Sequence, residues 1–504
     1  MKGERSTSRS TLVTVPWYPA IIAAAYVLTL WVETGVSMFA ILRALAVAIV
    51  AVALLVMVLS LVLRRPHVAG FATLIIGAVL VSRGLQNIVA VAVLAVAVPG
   101  ALFLWARIRR RTLSAPGATR SLNGLATLLL WVVLIGGVPR GAFGAFVEDL
   151  THQGSPTLGE SSRSPGEPPD ILVLLLDGYP REDSLQRLFG AENDAFIQSL
   201  VDRGFTVASA NRSNYPYTQA TLTSMLHMQP LHTVPALDAI EAGQIDDYPH
   251  LRLVLNRNPV FETARAEGYS VVVTSPGYEH VTLRHADVFF DDGSLNEFER
   301  HLIRGTPIQH IVDAMSPTAL TDQYRQRTLA AFEFYDEVVA ATRGPTLALV
   351  HVPSPHLPIV IGGRGEVLAD PPPLEAYREE PIGAAATEAY LAQLSYLNGR
   401  TLDSLDRALD AYSTRDPAPI LVVLSDHGAE APALPGTAWG PEHFANFFAI
   451  RWPEVDGSEA FGDDTSPVNL FPVLFNRLFG SDLPIWPDEV YQWRSDRISG
   501  ELLP

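Results

Sequence analysis

The stretch Ile420-Leu421-Val422-Val423-Leu424-Ser425-Asp426-His427-Gly428-Ala429-Glu430 puts an acid and a histidine where an apolar, β-branched run stops. Pro419 precedes the run and Gly428 follows it, which predicts a buried strand ending in a turn. In open α/β sheets that edge is where ligands bind. A carboxylate beside an imidazole at such an edge is half of a divalent-metal site. The alternative is plainer: Asp426 caps the next element and His427 is an ordinary loop histidine. A second apolar run, Ile171–Leu176, ends in Asp177-Gly178-Tyr179-Pro180. There too an acid meets a predicted strand end, although Asp-Gly is a turn signal by itself.

Two further stretches carry reactive side chains. Asn211–Pro216 is a polar loop, followed by Tyr217-Thr218-Gln219-Ala220-Thr221 and an apolar helical start. Thr218 near that start would have its hydroxyl among free backbone N–H groups, which favour an anion. A metal there would activate the oxygen as a nucleophile; a simple helix cap is the competing role. The segment Val350-His351-Val352-Pro353-Ser354-Pro355-His356-Leu357-Pro358 holds two histidines on a proline-stiffened strand terminus. His356 could donate to a phosphoryl or leaving-group oxygen. Gly440-Pro441-Glu442-His443 follows Asp426-His427 closely enough to return to the same rim, or to seat His443 inside the next turn.

The elements that must position these residues differ between the two ends of the chain. At 504 residues more than one folding unit is expected. The chain has no cysteine, which removes disulfides, thiolate ligands and cysteine nucleophiles. The net charge of -17 argues against a nucleic-acid partner. The acids crowd into the later part, and the first stretch is basic and apolar. Apolar runs near Trp17–Val32, Ala44–Leu63, Val68–Ser82, Ile88–Trp105 and Leu122–Val138 predict about five membrane spans, each near the ~20 residues a bilayer needs. Lys2, Arg5, Arg9, Arg64, Arg65 and Arg107–Arg120 put the tail and two loops on the cytoplasmic side, and all that follows Val138 outside. Arg43 and Arg83 sit at predicted helix ends and are expected to snorkel. Residues 1–150 thus form a multi-span transmembrane domain. Residues 151–169 are Ser, Pro and Gly rich and predict a flexible linker. Residues 170–504 predict an extracytoplasmic α/β domain, mainly a parallel sheet with helices on both faces. Its strands are Ile171–Leu176, Ser270–Thr274, Thr346–Val352 and Ile420–Leu424. Its helices include Glu262–Glu267, Gln323–Ala341 and Thr387–Ala411.

Taken in this order, the Asp177 strand end, the Pro216-Tyr217-Thr218 helix start and the Ser425-Asp426-His427-Gly428 tetrapeptide resemble the alkaline-phosphatase/sulfatase superfamily. The nearest shape is its membrane-anchored branch of lipoteichoic acid synthases and phosphoethanolamine transferases. The resemblance runs from about Ile171 to Gly480 and includes a closing helix in Ser466–Gly480. It implies an alkaline-phosphatase-like fold. It implies one divalent ion, Mn or Zn, held by Asp177, Thr218, Asp426 and His427, with a second ion possible in principle. It makes Thr218 the nucleophile, and places His356 and His443 about the substrate's phosphoryl group. The implied activity is a phosphoryl-group transferase or phosphodiesterase that passes through phosphothreonine, acting on phospholipid head groups or cell-envelope polymers at the lipid bilayer. The branch uses Glu where this chain has Asp177, and the usual Thr-Gly after the nucleophile helix reads His227-Met228. With no cysteine and Thr218 at the key position, sulfate-ester hydrolysis is disfavoured. Two other readings stand beside this one. One is a two-metal phosphohydrolase with His351, His356 and His443 holding a second ion. The other is a membrane protein that keeps the sheet for binding or assembly. Neither oligomeric state nor the donor and acceptor is legible.

Overall fold

The computed structural model describes residues 15–81, 115–136, 167–237, 248–341, 344–379, 381–430, 440–453, 457–494 and 497–502. The expected tail, the linker, the span near Ile88–Trp105 and Arg83 lie outside them, wholly or for the most part. The elements, in chain order, are α1 Tyr18–Thr34, α2 Met38–Leu63, α3 Pro66–Leu80, α4 Ala115–Gly136, β1 Ile171–Leu176, α5 Glu182–Phe189, α6 Asp194–Asp202, β2 Thr206–Val207, α7 Thr218–His227, α8 Tyr248–Asn256, α9 Pro259–Ala266, β3 Ser270–Thr274, β4 Val288–Phe290, α10 Glu297–Ile303, α11 Pro307–Met315, α12 Ala319–Ala341, β5 Thr346–Val352, α13 Ala384–Tyr412, β6 Ile420–Leu424, β7 Phe448–Arg451, α14 Gly457–Phe461, α15 Leu470–Phe479, β8 Tyr491–Arg494 and β9 Arg497–Leu502. They sort into two compact units. One holds residues 1–146 with Leu295–Pro317, the other residues 147–294 with 318–504.

In the helical unit, α1 turns into α2 at Gly35, whose left-handed backbone lets its N–H close on Trp31 O. Trp31 Nε1 donates to Val36 O at 2.7 Å, and Ser37 caps α2. Asn123 of α4 caps the start of α1, its Oδ1 accepting from Tyr18 N at 2.9 Å. The expectation of five spans is corrected here. Among the described residues two helices are long and apolar enough to cross a membrane, α2 and Ala115–Ile135 within α4. The helices α1 and α3 are apolar but run 17 and 15 residues. At 1.5 Å per residue the latter reaches roughly 22 Å, short of a ~30 Å hydrocarbon core. The helix α2 also begins at Met38 rather than near Ala44. Arg43 falls within this helix, and its guanidinium pairs with Glu299 of α10, Nε to Oε1 at 2.6 Å.

In the α/β unit a seven-stranded sheet runs β2-β7-β6-β1-β5-β3-β4. Every neighbouring pair is parallel except those involving β7, which is antiparallel to both β2 and β6. The sheet is therefore mainly parallel, as expected. The central strand β1 is buried on both faces, which explains its unbroken apolar run. Leu172, Leu174 and Leu176 pack with Phe332, Tyr335 and Leu397 of α12 and α13. Ile171, Val173 and Leu175 pack with Leu222, Phe261 and Phe471 of α7, α9 and α15. Each such side chain removed from water contributes about 1.5–3 kcal/mol. Helices thus cover both faces. All four strands expected from the sequence fall within the predicted limits, and Ser466–Gly480 holds α15.

Candidate metal centre

Parallel strands leave their carboxyl ends on one edge, and β1, β5 and β6 are adjacent. The register pairs Leu175 with His351 on one side and with Leu424 on the other. Asp177, the loop after β5 and Ser425-Asp426-His427 must therefore emerge side by side. Backbone bonds fix them there. Asp177 N donates to Val352 O at 3.0 Å, and His356 N donates to Asp177 O at 2.8 Å. Gly178 adopts a φ of 70° and donates its N–H to Asp426 Oδ1 at 3.1 Å. That left-handed turn is why glycine follows the acid. Tyr179 N donates to Ser425 Oγ at 2.8 Å, locking the β1 and β6 turns together.

The side chains converge. Ligand atoms of Asp177, His356 and His427 all lie within 4.8 Å of one another. His427 Nε2 stands 3.5 Å from both Asp177 Oδ1 and Asp426 Oδ2. The Nδ1 of His427 meets Gly428 O at 2.7 Å, and that of His356 meets Leu357 O at 2.8 Å. A carbonyl can only accept, so each Nδ1 carries a proton; the Nε2 of His427 faces the two aspartates, and that of His356 pairs with Glu430. Asp177 Oδ1 and Asp426 Oδ2 are buried and have no hydrogen-bond partner. Two orphaned carboxylate oxygens, the Nε2 of His427 and the nearby ring of His356 form a donor set that suits Zn or Mn.

Charge follows the geometry. Burial alone would raise Asp177, but the His356 charge and hydrogen bonds from His351 and His427 hold it well below the usual carboxylate range. Burial opposes charge on His356, yet Asp177 and Glu430 push it up to about 10. His427 rises against burial to about 9, through Asp426 and Asp177. Glu430, half of an ion pair with His356 at 3.0 Å, resists burial and falls to about 2. His443 is depressed to about 4 by burial and by the neighbouring His427 charge.

The structure brings Asp177, Asp426 and His427 together at the sheet edge, and His356 lies beside them. His443 is buried behind them, its carbonyl accepting from Gly428 N at 2.8 Å. Thr218 is the first residue of α7 and is buried. Its loop leaves the sheet edge with β2: Ala208 N donates to Phe448 O, Ser213 N to Phe444 O, and Asn211 Nδ2 to Asn446 Oδ1 at 2.7 Å. The second-ion arrangement of His351, His356 and His443 is not assembled. His351 spends its Nε2 on Asp177 Oδ2 at 2.9 Å. Among the described residues the Asp177, His356 and His427 group is the one that could hold an ion. The sequence reading missed Glu430 and the orienting role of His351; only the spacing after His427 and before His356 hinted at them. A cleft beside the cluster is lined by Phe189, Pro355, Leu357, Tyr377 and Tyr390. The hydroxyls of Tyr377 and Tyr390 are buried there without partners.

No protein-family description and no curated protein matches the chain. Solved structures do overlap with it. The C-terminal periplasmic domain of EcEptC from Escherichia coli, in complex with Zn, is 13% identical, with a TM-score of 0.42, covering 68% of this chain and 94% of its own. The soluble domain of lipooligosaccharide phosphoethanolamine transferase A from Neisseria meningitidis is 13% identical, with a TM-score of 0.39, covering 63% of this chain and 90% of its own. BT1596, a 2-O GAG sulfatase, is 14% identical, with a TM-score of 0.37, covering 63% of this chain and 72% of its own. At these scores the likeness has no weight for substrate or chemistry.

Proposed function

We propose that the chain is a membrane-anchored, metal-dependent phosphoryl-group transferase or phosphodiesterase that works through a phosphothreonine on Thr218. The observation that supports this most is the convergence of Asp177, His356 and His427 with the orphaned Oδ2 of Asp426 at the carboxyl edge of the sheet. Asp177, Asp426, His427 and His356 would hold the ion, with the Thr218 hydroxyl completing the set. When bound, the ion supplies positive charge that favours an alkoxide and stabilises phosphoryl oxygens.

The protein's own groups do the rest. Thr218 opens a ten-residue helix, so backbone N–H groups lie free about its hydroxyl for an anionic phosphoryl group. Its Oγ attacks phosphorus, and the P–O bond to the leaving alcohol breaks as that oxygen departs with a proton. A second hydroxyl, from water or an envelope glycan or lipid, then attacks phosphorus, breaks the bond to Thr218 Oγ and returns a proton to it. His443, held uncharged at pH 7, would stand at the edge of the phosphoryl group. The cleft of Tyr377, Tyr390 and Phe189 is the place for the group attached to phosphorus. A multi-pass helical anchor with a cytoplasmic N-terminus would keep the α/β unit outside, beside phospholipid head groups and envelope polymers.

The test is mass spectrometry of the whole chain after incubation with phospholipid vesicles and Zn or Mn. Wild type gains a phosphoryl-linked mass on the peptide carrying Thr218. Thr218→Ala folds as before, gains none and turns over nothing. Unchanged turnover in Thr218→Ala would point to another nucleophile. No turnover by wild type with any lipid would favour a binding or assembly role.

A further inference from the structure

Residues Leu295–Pro317 interrupt the α/β fold between β4 and α12, yet they pack within the helical unit. The helix α10 is fastened there. Arg43 of α2 pairs with Glu299, Nε to Oε1 at 2.6 Å, and Asn296 Nδ2 donates to Ala40 O at 2.9 Å. Phe298 is buried among Trp31, Leu30 and Ile41. Asn296 and Glu299 also form a capping box, so the pairing and the start of α10 depend on the same two side chains. The contacts fall at the turn between α1 and α2, which the charge pattern puts outside. The following helix, α11, packs against α3. It has no fully buried residue. Ile311 and Met315, four apart and so on one face, are 51% and 82% exposed.

A short helix with apolar side chains turned outward, packed on an apolar helix of the same unit, has one natural partner. The helical unit exposes other apolar side chains too, among them Val47, Val50, Leu54 and Val58 of α2. We propose that α11 lies on the outer membrane surface with Ile311 and Met315 in the lipid, and that the Arg43–Glu299 pair holds it there. The polypeptide of the α/β unit is then tied to the bilayer at this insertion as well as through its N-terminal linker. This inference does not depend on the proposed chemistry.

The absence of native cysteine makes the test direct. Single cysteines, Ile311→Cys, Met315→Cys, His310→Cys and Leu54→Cys, are labelled with an environment-sensitive fluorophore in the full chain. The protein is reconstituted in phosphatidylcholine vesicles with brominated acyl chains. His310 lies about 100° around the helix from Ile311. Labels at 311 and 315 are expected to shift to the blue and lose fluorescence to the bromines, as the label at 54 does, while the label at 310 does not. Glu299→Ala is expected to abolish the loss at 311 and 315 and to leave that at 54. Labels at 311 and 315 that stay unquenched overturn the lipid contact, and quenching that survives Glu299→Ala overturns the role of the pair.

Discussion

His427 is held by three constraints at once: its Nδ1 on Gly428 O, and its Nε2 before Asp177 and Asp426. The metal-free site therefore stores protons. Folded values of about 10 for His356 and about 9 for His427 exceed the ordinary 6.5. A raised value means that the charged form stabilises the metal-free fold fully below pH 6.5, and that this stability is lost as pH rises through 9 to 10. Both rings are protonated at pH 7, so an ion can enter only as protons leave. Calorimetry of Zn binding in buffers of different ionisation enthalpy should show the release of about two protons at pH 7, and affinity that weakens as pH falls. A second prediction concerns His351, which fixes Asp177 through Oδ2. His351→Ala should weaken metal binding about 10–100-fold with little change in fold, as read by metal titration and circular dichroism. A third concerns Tyr390, whose buried hydroxyl lacks a partner. Tyr390→Phe should leave the melting temperature unchanged or raise it, by up to about 1 kcal/mol of stability, while raising KM if the cleft takes substrate.

At the scale of elements, the turns after β1 and β6 are built to touch. A Cβ on Gly428 would stand 1.9 Å from Glu442 O and 2.7 Å from Ala445 O, both backbone atoms. Gly428→Ala must push the segment before β7 away and carry His443 with it. It should cost about 1–3 kcal/mol or more in denaturant unfolding, and lower metal affinity together with stability. The sequence made these strand ends legible because β1 and β6 are unbroken apolar runs that stop at an acid. It did not make the approach of His356 to this cluster legible. Whether a loop histidine joins a metal cluster or faces substrate depends on how β5 registers against β1, and that is set by pairing across the whole sheet. Glu430 was hidden for the same reason, since its partners His356 and Arg378 are remote in sequence.

At the scale of the whole molecule, hydropathy indicated where the apolar helices lie but not every boundary. The helix α3, Pro66–Leu80, is as long as the expected Val68–Ser82 but starts two residues earlier, and α2 starts six residues before Ala44. The pairing of Arg43 was not legible because its partner Glu299 is supplied from far along the chain. The charge pattern still predicts which side each end occupies. A reporter that is active only after export should work when fused after Pro504 and fail when fused ahead of Met1. The reverse pattern would invert the topology. The return of Leu295–Pro317 to the helical unit was not legible, because nothing in its local pattern marks the change.

The central claim is that side chains from β1, β5 and β6 share one cation. The most direct measurement is elemental analysis of the purified full chain, compared with Asp177→Ala and His427→Ala. The account predicts about one Zn or Mn per wild-type chain and close to none in either variant, with all three equally folded. Wild type that stays metal-free when supplied with both ions, or variants that retain a full equivalent, would contradict it.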